Sequence, residues 1–283
     1  MLARVTYSQL IPFGVEVSVD PKRGLGSADK EDLRQLFALD GLIVVRNLHL
    51  SMDEQLDLCE TFGPVMRGSR ENYIVSNVHR DGLLGDRELL FHHDITFVPA
   101  PYLGGSLHAL DVSEGVSGTR FANGFRAYER LPSALRERID RLNALHVRER
   151  AVGRRTRLTD SLPTDNCAVH AVVGRQQGTG RPYLFVNTSH TACIIGMSEV
   201  ESDRLLDELF SYLYADADVY EHAWKNGDIV IWDNLAVQHA RKAVAGGTRT
   251  LQRVTIAKLG YWDQCPVDLP SYQEIHTFKE EPA

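Results

Sequence analysis

Short apolar runs punctuated by turn residues set the strongest limit on how this 283-residue chain can fold. Runs at 73–76, 90–97, 105–110, 118–122, 170–174, 183–187, 228–232 and 250–258 are rich in Val, Ile, Leu, Tyr and Phe and are separated by Gly, Pro, Asn and Asp. Residues of this kind suit a pleated, half-buried surface. Many short runs between turn signals predict a β-rich sandwich or barrel. An initial strand over 14–19 precedes a turn at Asp20-Pro21.

Helices flank this pattern. Ser27-Ala28-Asp29-Lys30-Glu31 reads as a capped start, Leu33, Leu36 and Phe37 recur at helical spacing, and Gly41 ends the helix. Leu42-Ile43-Val44-Val45 then reads as a buried strand. Ser51-Met52-Asp53-Glu54 opens a second helix with Leu56, Cys59 and Phe62 on its apolar face, ended by Gly63-Pro64. Further helices are expected over 128–141 and 198–214, the latter opened by a Ser198–Glu201 capping box. The polar stretch 150–166, with Arg154, Arg155, Arg157 and Pro163, reads as either a lid or a disordered loop. No break in composition divides the chain, so one domain is expected over 1–283, with its core at about 14–259 and a tail at 260–283.

Composition narrows the function classes. A 43% hydrophobic content is enough for a core and excludes disorder as the main state. The charge balance, 31 − 38 = −7, disfavours sequence-independent binding to nucleic acid or an anionic membrane. There is no run of ~18 apolar residues to span a bilayer, and residues 1–18 lack a signal-peptide core. Cys59, Cys167, Cys193 and Cys265 show no CxxC spacing, which argues against a zinc site or a disulfide framework. The expectation is a cytoplasmic protein with reduced thiols acting on a small molecule. A homo-oligomer, dimer or tetramer, is compatible with that reading.

The chemistry is concentrated in Phe91-His92-His93-Asp94-Ile95-Thr96-Phe97. On a strand, His92 and Asp94 share a face and His93 points away. An imidazole and a carboxylate on one face can hold one metal with a third ligand from elsewhere, and His239 is the best candidate. Two histidines and one carboxylate leave three positions open, the pattern of non-haem Fe(II) oxygenases. Alone, such a tripeptide is weak among 11 histidines and 38 acids. Arg249 and Arg253, ten and fourteen residues beyond His239, strengthen it, because on a strand they share a face and a guanidinium in a pocket suits a carboxylate partner. His93, His108, His146 and His170 are expected to be structural, and Trp224 and the 205–209 stripe to be core.

The motifs, in order, are Asp40-Gly41-Leu42-Ile43-Val44-Val45-Arg46, Phe62-Gly63-Pro64, the 91–97 segment, Ser117-Gly118-Thr119-Arg120-Phe121-Ala122-Asn123, Leu184-Phe185-Val186-Asn187, Gly227-Asp228-Ile229-Val230-Ile231-Trp232-Asp233-Asn234 and the two arginines. In these the chain resembles the taurine dioxygenase (TauD/TfdA-like) family of Fe(II)/2-oxoglutarate-dependent dioxygenases, over about 14–259. The resemblance implies a double-stranded β-helix, or jelly roll of cupin type, with flanking helices. It places iron on His92, Asp94 and His239, the distal carboxylate of 2-oxoglutarate on Thr119 and Arg249, Trp232 along that site, and Arg253 between cosubstrate and substrate. The implied reaction oxidises, by default hydroxylates, a small organic substrate with O2 while 2-oxoglutarate gives succinate and CO2. Desaturation, epoxidation or cyclisation in natural-product biosynthesis would use the same ligands, and a silent jelly-roll binding protein would show a damaged triad or lack Arg249. Asp94 argues against a halogenase, which needs that position open. The residues matched to the taurine pocket are Gly68, Glu88, Ile95, His190 and Arg253. Of the sulfonate-reading set only Arg253 is kept, so taurine is not the expected substrate.

Overall fold

The computed structural model describes residues 5–18, 25–160 and 165–265. The expected turn at Asp20-Pro21, Pro163 of the polar stretch and the tail beyond 265 lie outside the described residues.

Two β-sheets dominate. The larger has eight strands in the order Thr6–Gln9, Val15–Ser18, Leu42–Val45, Ile229–Asp233, Gly104–Val112, Arg249–Ile256, Tyr73–Ser76 and Leu83–Leu84. The smaller has four, Val219–His222, Thr119–Asn123, Val237–Arg241 and Leu89–His92, all antiparallel. Leu42, Val44, Leu107, Val230, Trp232 and Leu251 of the larger sheet pack against Phe121, Tyr220 and Val237 of the smaller. On the larger sheet's other face, Ile43, Val45, Ile229, Ile231, Val254 and Ile256 bury Leu33 and Leu36 of helix Ser27–Asp40 and Leu56, Leu58 and Cys59 of helix Met52–Cys59. Leu42–Val45 is apolar at every position because both of its faces are covered.

Local signals fix several elements. Ser198 caps helix Glu199–Leu213 by accepting from the Glu201 N–H, as its sequence predicts. Helix Ser27–Asp40 is capped instead at Gly26, whose N–H donates to Asp29, and it ends at Gly41 with φ 67. The single helix expected over 128–141 is two, Gly124–Arg130 and Ser133–Ile139. Pro132 breaks it, since it has no N–H to donate and it holds the preceding Leu131 out of helical geometry at ψ 141. The strand expected over 90–97 stops at His92. Asn143–Val147 and Val237–Arg241 are strands that the turn-and-run pattern does not mark. No helix among the described residues is long and apolar enough to cross a membrane.

Candidate metal and cosubstrate site

His92 ends one strand of the smaller sheet, and His239 lies directly opposite it on the neighbouring strand. The sheet register therefore brings the two rings together, with centroids 4.2 Å apart. Asp94 arrives differently from the alternation expected along one strand. After His92 the chain enters a turn over 94–97, with Ile95 at φ 49, an unfavourable backbone for a β-branched residue. Asn234 holds that turn. Its Oδ1 accepts the Asp94 N–H at 2.7 Å, and its Nδ2 donates to the carbonyls of Asp94 at 3.2 Å and Tyr102 at 3.0 Å.

The three side chains fit one ion. Their ligand atoms lie within 4.8 Å of one another, and Asp94 Oδ1 is 3.9 Å from Nε2 of both histidines, too far for a hydrogen bond. The Nδ1 of His92 lies 2.7 Å from the Leu90 carbonyl. A carbonyl only accepts, so Nδ1 carries the proton and Nε2 offers its lone pair. The other Asp94 oxygen accepts from Arg253 at 2.7 Å, which leaves Oδ1 available to an ion. Burial pushes the Asp94 carboxyl up, but the Arg253 guanidinium outweighs it and holds the group below its usual range. Burial also lowers both histidines, which keeps them neutral.

His93 points away from the triad. It is fully buried and packs on Phe185 with ring centroids 4.7 Å apart. His108 and His146 are buried, and His170 Nε2 lies 2.9 Å from the Thr96 carbonyl. None of these four belongs to the candidate metal group among the described residues.

Beside the triad lies a cavity, partly open to solvent, lined by Thr119, Trp232, His239, Arg241, Arg249 and Arg253, with Leu107 and other apolar side chains. The bulge between Gly104–Val112 and Arg249–Ile256 places the extra residue, Leu110, on the former strand, so Arg249 and Arg253 keep a common face. Arg249 is 3% exposed, and its guanidinium donates to Thr119 Oγ1 at 2.9 Å and to the Ser117 carbonyl at 3.1 Å. Among the described residues no carboxylate pairs with it. Burial, with Arg241 nearby, pulls its pKa down to about 9. A buried cation held only by neutral acceptors is a receptor for an anion. Arg241 is also buried but is used structurally, donating to the carbonyls of Leu84, Gly85 and Arg87.

Trp232 packs against His239 with ring centroids 4.8 Å apart and the planes tilted by 49°, and Gly105 makes room for it. A Cβ at Gly105 would lie 2.4 Å from the indole Cζ2. Gly105→Ala is therefore expected to cost about 1–3 kcal/mol of overpacking and to lower Tm by about 2–12 °C in thermal unfolding. An unchanged Tm would show that the ring moves freely.

On the other side of His92, His190 is 3% exposed, with ring centroids 6.0 Å apart. It pairs with Glu149 at 2.7 Å, a residue that sequence reasoning missed and that no local pattern marks. Burial pushes Glu149 up, but His190 and hydrogen bonds outweigh it and bring the carboxyl to about 2. Tyr73, which accepts from Arg253, was read from sequence only as part of a strand. Ile95 follows Asp94 directly and is half-buried. Gly68 and Glu88 are exposed, and no hydrogen bond joins them to the triad. Arg155 and Arg157 of the polar stretch pair with Asp203 and Asp207 of helix Glu199–Leu213, and Arg150 pairs with Asp165.

Two imidazoles and one carboxylate beside a cationic cavity define the ligand class of mononuclear non-haem iron enzymes. The family described as taurine catabolism dioxygenase TauD, TfdA family matches residues 6–255, and the chain belongs to it. It is 30% identical over 275 residues to the alpha-ketoglutarate-dependent 2,4-dichlorophenoxyacetate dioxygenase of Cupriavidus pinatubonensis, covering 87% of this chain and 94% of that one. To the pentalenolactone F synthase of Streptomyces arenae it is 29% identical over 266 residues, covering 83% and 89%. The crystal structure of AAD-2 in complex with Mn(II) and N-oxalylglycine shares its fold, with TM-score 0.77 and 23% identity over 90% of this chain and 98% of that one.

Proposed function

We propose that the chain is an Fe(II)/2-oxoglutarate-dependent dioxygenase that hydroxylates a small organic substrate other than taurine. The observation that carries this reading is the buried Arg249, with no carboxylate partner among the described residues, in the lining of a cavity that His239 of the triad also lines. In this reading His92, Asp94 and His239 hold the iron, and Arg249 with Thr119 takes the distal carboxylate of 2-oxoglutarate. Trp232 walls the cavity. Bound iron, with 2-oxoglutarate and O2, supplies the oxidant, and 2-oxoglutarate leaves as succinate and CO2. The protein's own work is placement and exclusion of water. Arg253 keeps Asp94 ionised and singly available to the metal, and Asn234 fixes its backbone.

The inter-sheet core, with the triad at one edge of the smaller sheet, supports assignment of the fold as a double-stranded β-helix. The continuous packing of sheets and helices supports one domain, while a cytoplasmic location and a lid role for the polar stretch 150–166 are proposed from the sequence alone. Ile95, His190 and Arg253 are proposed to face the substrate, and Gly68 and Glu88 are assigned to the same region by the resemblance alone.

Taurine fits this wall poorly. Arg253 is already engaged by Asp94 and Tyr73, and His190, the polar group of this wall, is already paired with Glu149. Succinate release is the test, with Fe(II), 2-oxoglutarate and a panel of small acids, amines and natural-product scaffolds. Taurine at millimolar concentration is expected to give little above the uncoupled background. Turnover like that of a dedicated taurine enzyme would overturn the substrate assignment, and no succinate release with any substrate or alone would overturn the dioxygenase reading.

A further inference from the structure

The sequence marks Trp224 only as core, and it is indeed 5% exposed among apolar neighbours. Its indole N–H, however, donates to Thr119 Oγ1 at 3.0 Å, the same oxygen that accepts from Arg249 at 2.9 Å. A threonine hydroxyl has two acceptor lone pairs and one hydrogen. With both lone pairs occupied, the hydroxyl can only donate its remaining hydrogen. Thr119 is 2% exposed and lines the cavity, so an acceptor that fills the cavity can take that hydrogen.

We propose that Trp224 is a positioning residue for the cosubstrate: together with Arg249 it occupies both lone pairs of Thr119, so that the hydroxyl presents a donor to the distal carboxylate of 2-oxoglutarate. The inference rests on the assignment of that carboxylate to Arg249 and Thr119. Without the indole N–H, one lone pair is released and the hydroxyl rotates freely between orientations, only some of which meet an anion. The preset donor removes that orientational cost before the ligand arrives.

The indole is itself held from behind. The His222 ring meets it edge-on, with centroids 4.5 Å apart at 79°. His222 Nε2 lies 3.2 Å from Asp228 Oδ2, an oxygen that also accepts from Arg46 at 2.6 Å and from the Lys225 N–H at 2.9 Å. Asn226, in the same turn, accepts the Val112 N–H at 2.8 Å. The turn carrying Trp224 is thus tied to the larger sheet, while Thr119 belongs to the smaller. Gly118 permits the close approach, because a Cβ there would lie 2.6 Å from the His222 carbonyl oxygen.

The test is calorimetric titration of N-oxalylglycine, a non-reacting analogue of 2-oxoglutarate, into the full chain loaded with Mn(II). Trp224→Phe keeps an aromatic ring and deletes the N–H. It is expected to weaken N-oxalylglycine about 2- to 12-fold, the worth of one hydrogen bond, with Mn(II) affinity unchanged. Thr119→Val is expected to weaken it as well, and Thr119→Ser to restore it. Adding Trp224→Phe to Thr119→Val is expected to cost nothing further, because the hydroxyl it orients is gone. Wild-type affinity in Trp224→Phe, or the same loss in both backgrounds, overturns the proposal; the second result would mean that the ring acts by packing. Wild-type affinity in Thr119→Val and in Arg249→Ala overturns instead the carboxylate assignment beneath it.

Discussion

His92→Ala and His239→Ala are expected to lose bound iron and, with it, succinate release, while His93→Ala keeps both. Each of the first two removes one of the three proposed protein ligands, so the loss should exceed the 10–100-fold that removing an outer-shell partner of a ligand typically costs. His93→Ala instead removes a fully buried ring from its contact with Phe185, so its effect is expected on Tm rather than on metal. Iron content after anaerobic reconstitution, measured beside thermal unfolding, separates the two effects. If His93→Ala lost iron while His92→Ala kept it, the register that sets His239 opposite His92 would be wrong.

Arg249→Ala is expected to weaken 2-oxoglutarate by two to three orders of magnitude with iron binding retained. Removing one partner of a buried Arg–carboxylate pair typically costs ~3–5 kcal/mol, and each ~1.4 kcal/mol is tenfold in affinity. The free protein should not suffer equally. Among the described residues its buried guanidinium has only Thr119 and Ser117 as acceptors, and burial has already drawn its pKa down to about 9. Losing that unpaired charge relieves a desolvation cost, so Tm is expected to hold or rise while affinity collapses. Cosubstrate titration of the metal-loaded variant decides it. An unchanged affinity would move the carboxylate to Arg253, since Arg155 and Arg157 are neutralised on helix Glu199–Leu213.

Much of the fold is legible in the sequence because it is set by interactions a few residues apart. Ser198 and Glu201 close their capping box within one turn, Gly41 ends its helix by its own backbone freedom, and the apolar run at Leu42–Val45 needs only two covered faces. The break at Pro132 was equally local, but the apolar periodicity through 128–141 masked it.

Residue types and order in the sequence were enough to mark His92, Asp94, His239, Arg249 and Arg253 as one set; how they meet was not. Val237–Arg241 shows no period-2 alternation, because all five of its residues are buried. Gln238 and Arg241 bond to partners remote in sequence, Tyr214 and Val186 for the first and the Leu84, Gly85 and Arg87 carbonyls for the second. Asp94 meets the histidines through a turn held by Asn234, 140 residues away, rather than through strand alternation. Glu149 beside His190 and Trp224 on Thr119 leave no trace in their own segments, since a hydrogen bond across 105 residues has no sequence period. The sequence by itself determined which groups could carry the chemistry. The tertiary structure decided which lone pair, which carboxylate oxygen and which proton each of them presents, because those depend on partners that only sheet pairing and packing bring within 3 Å.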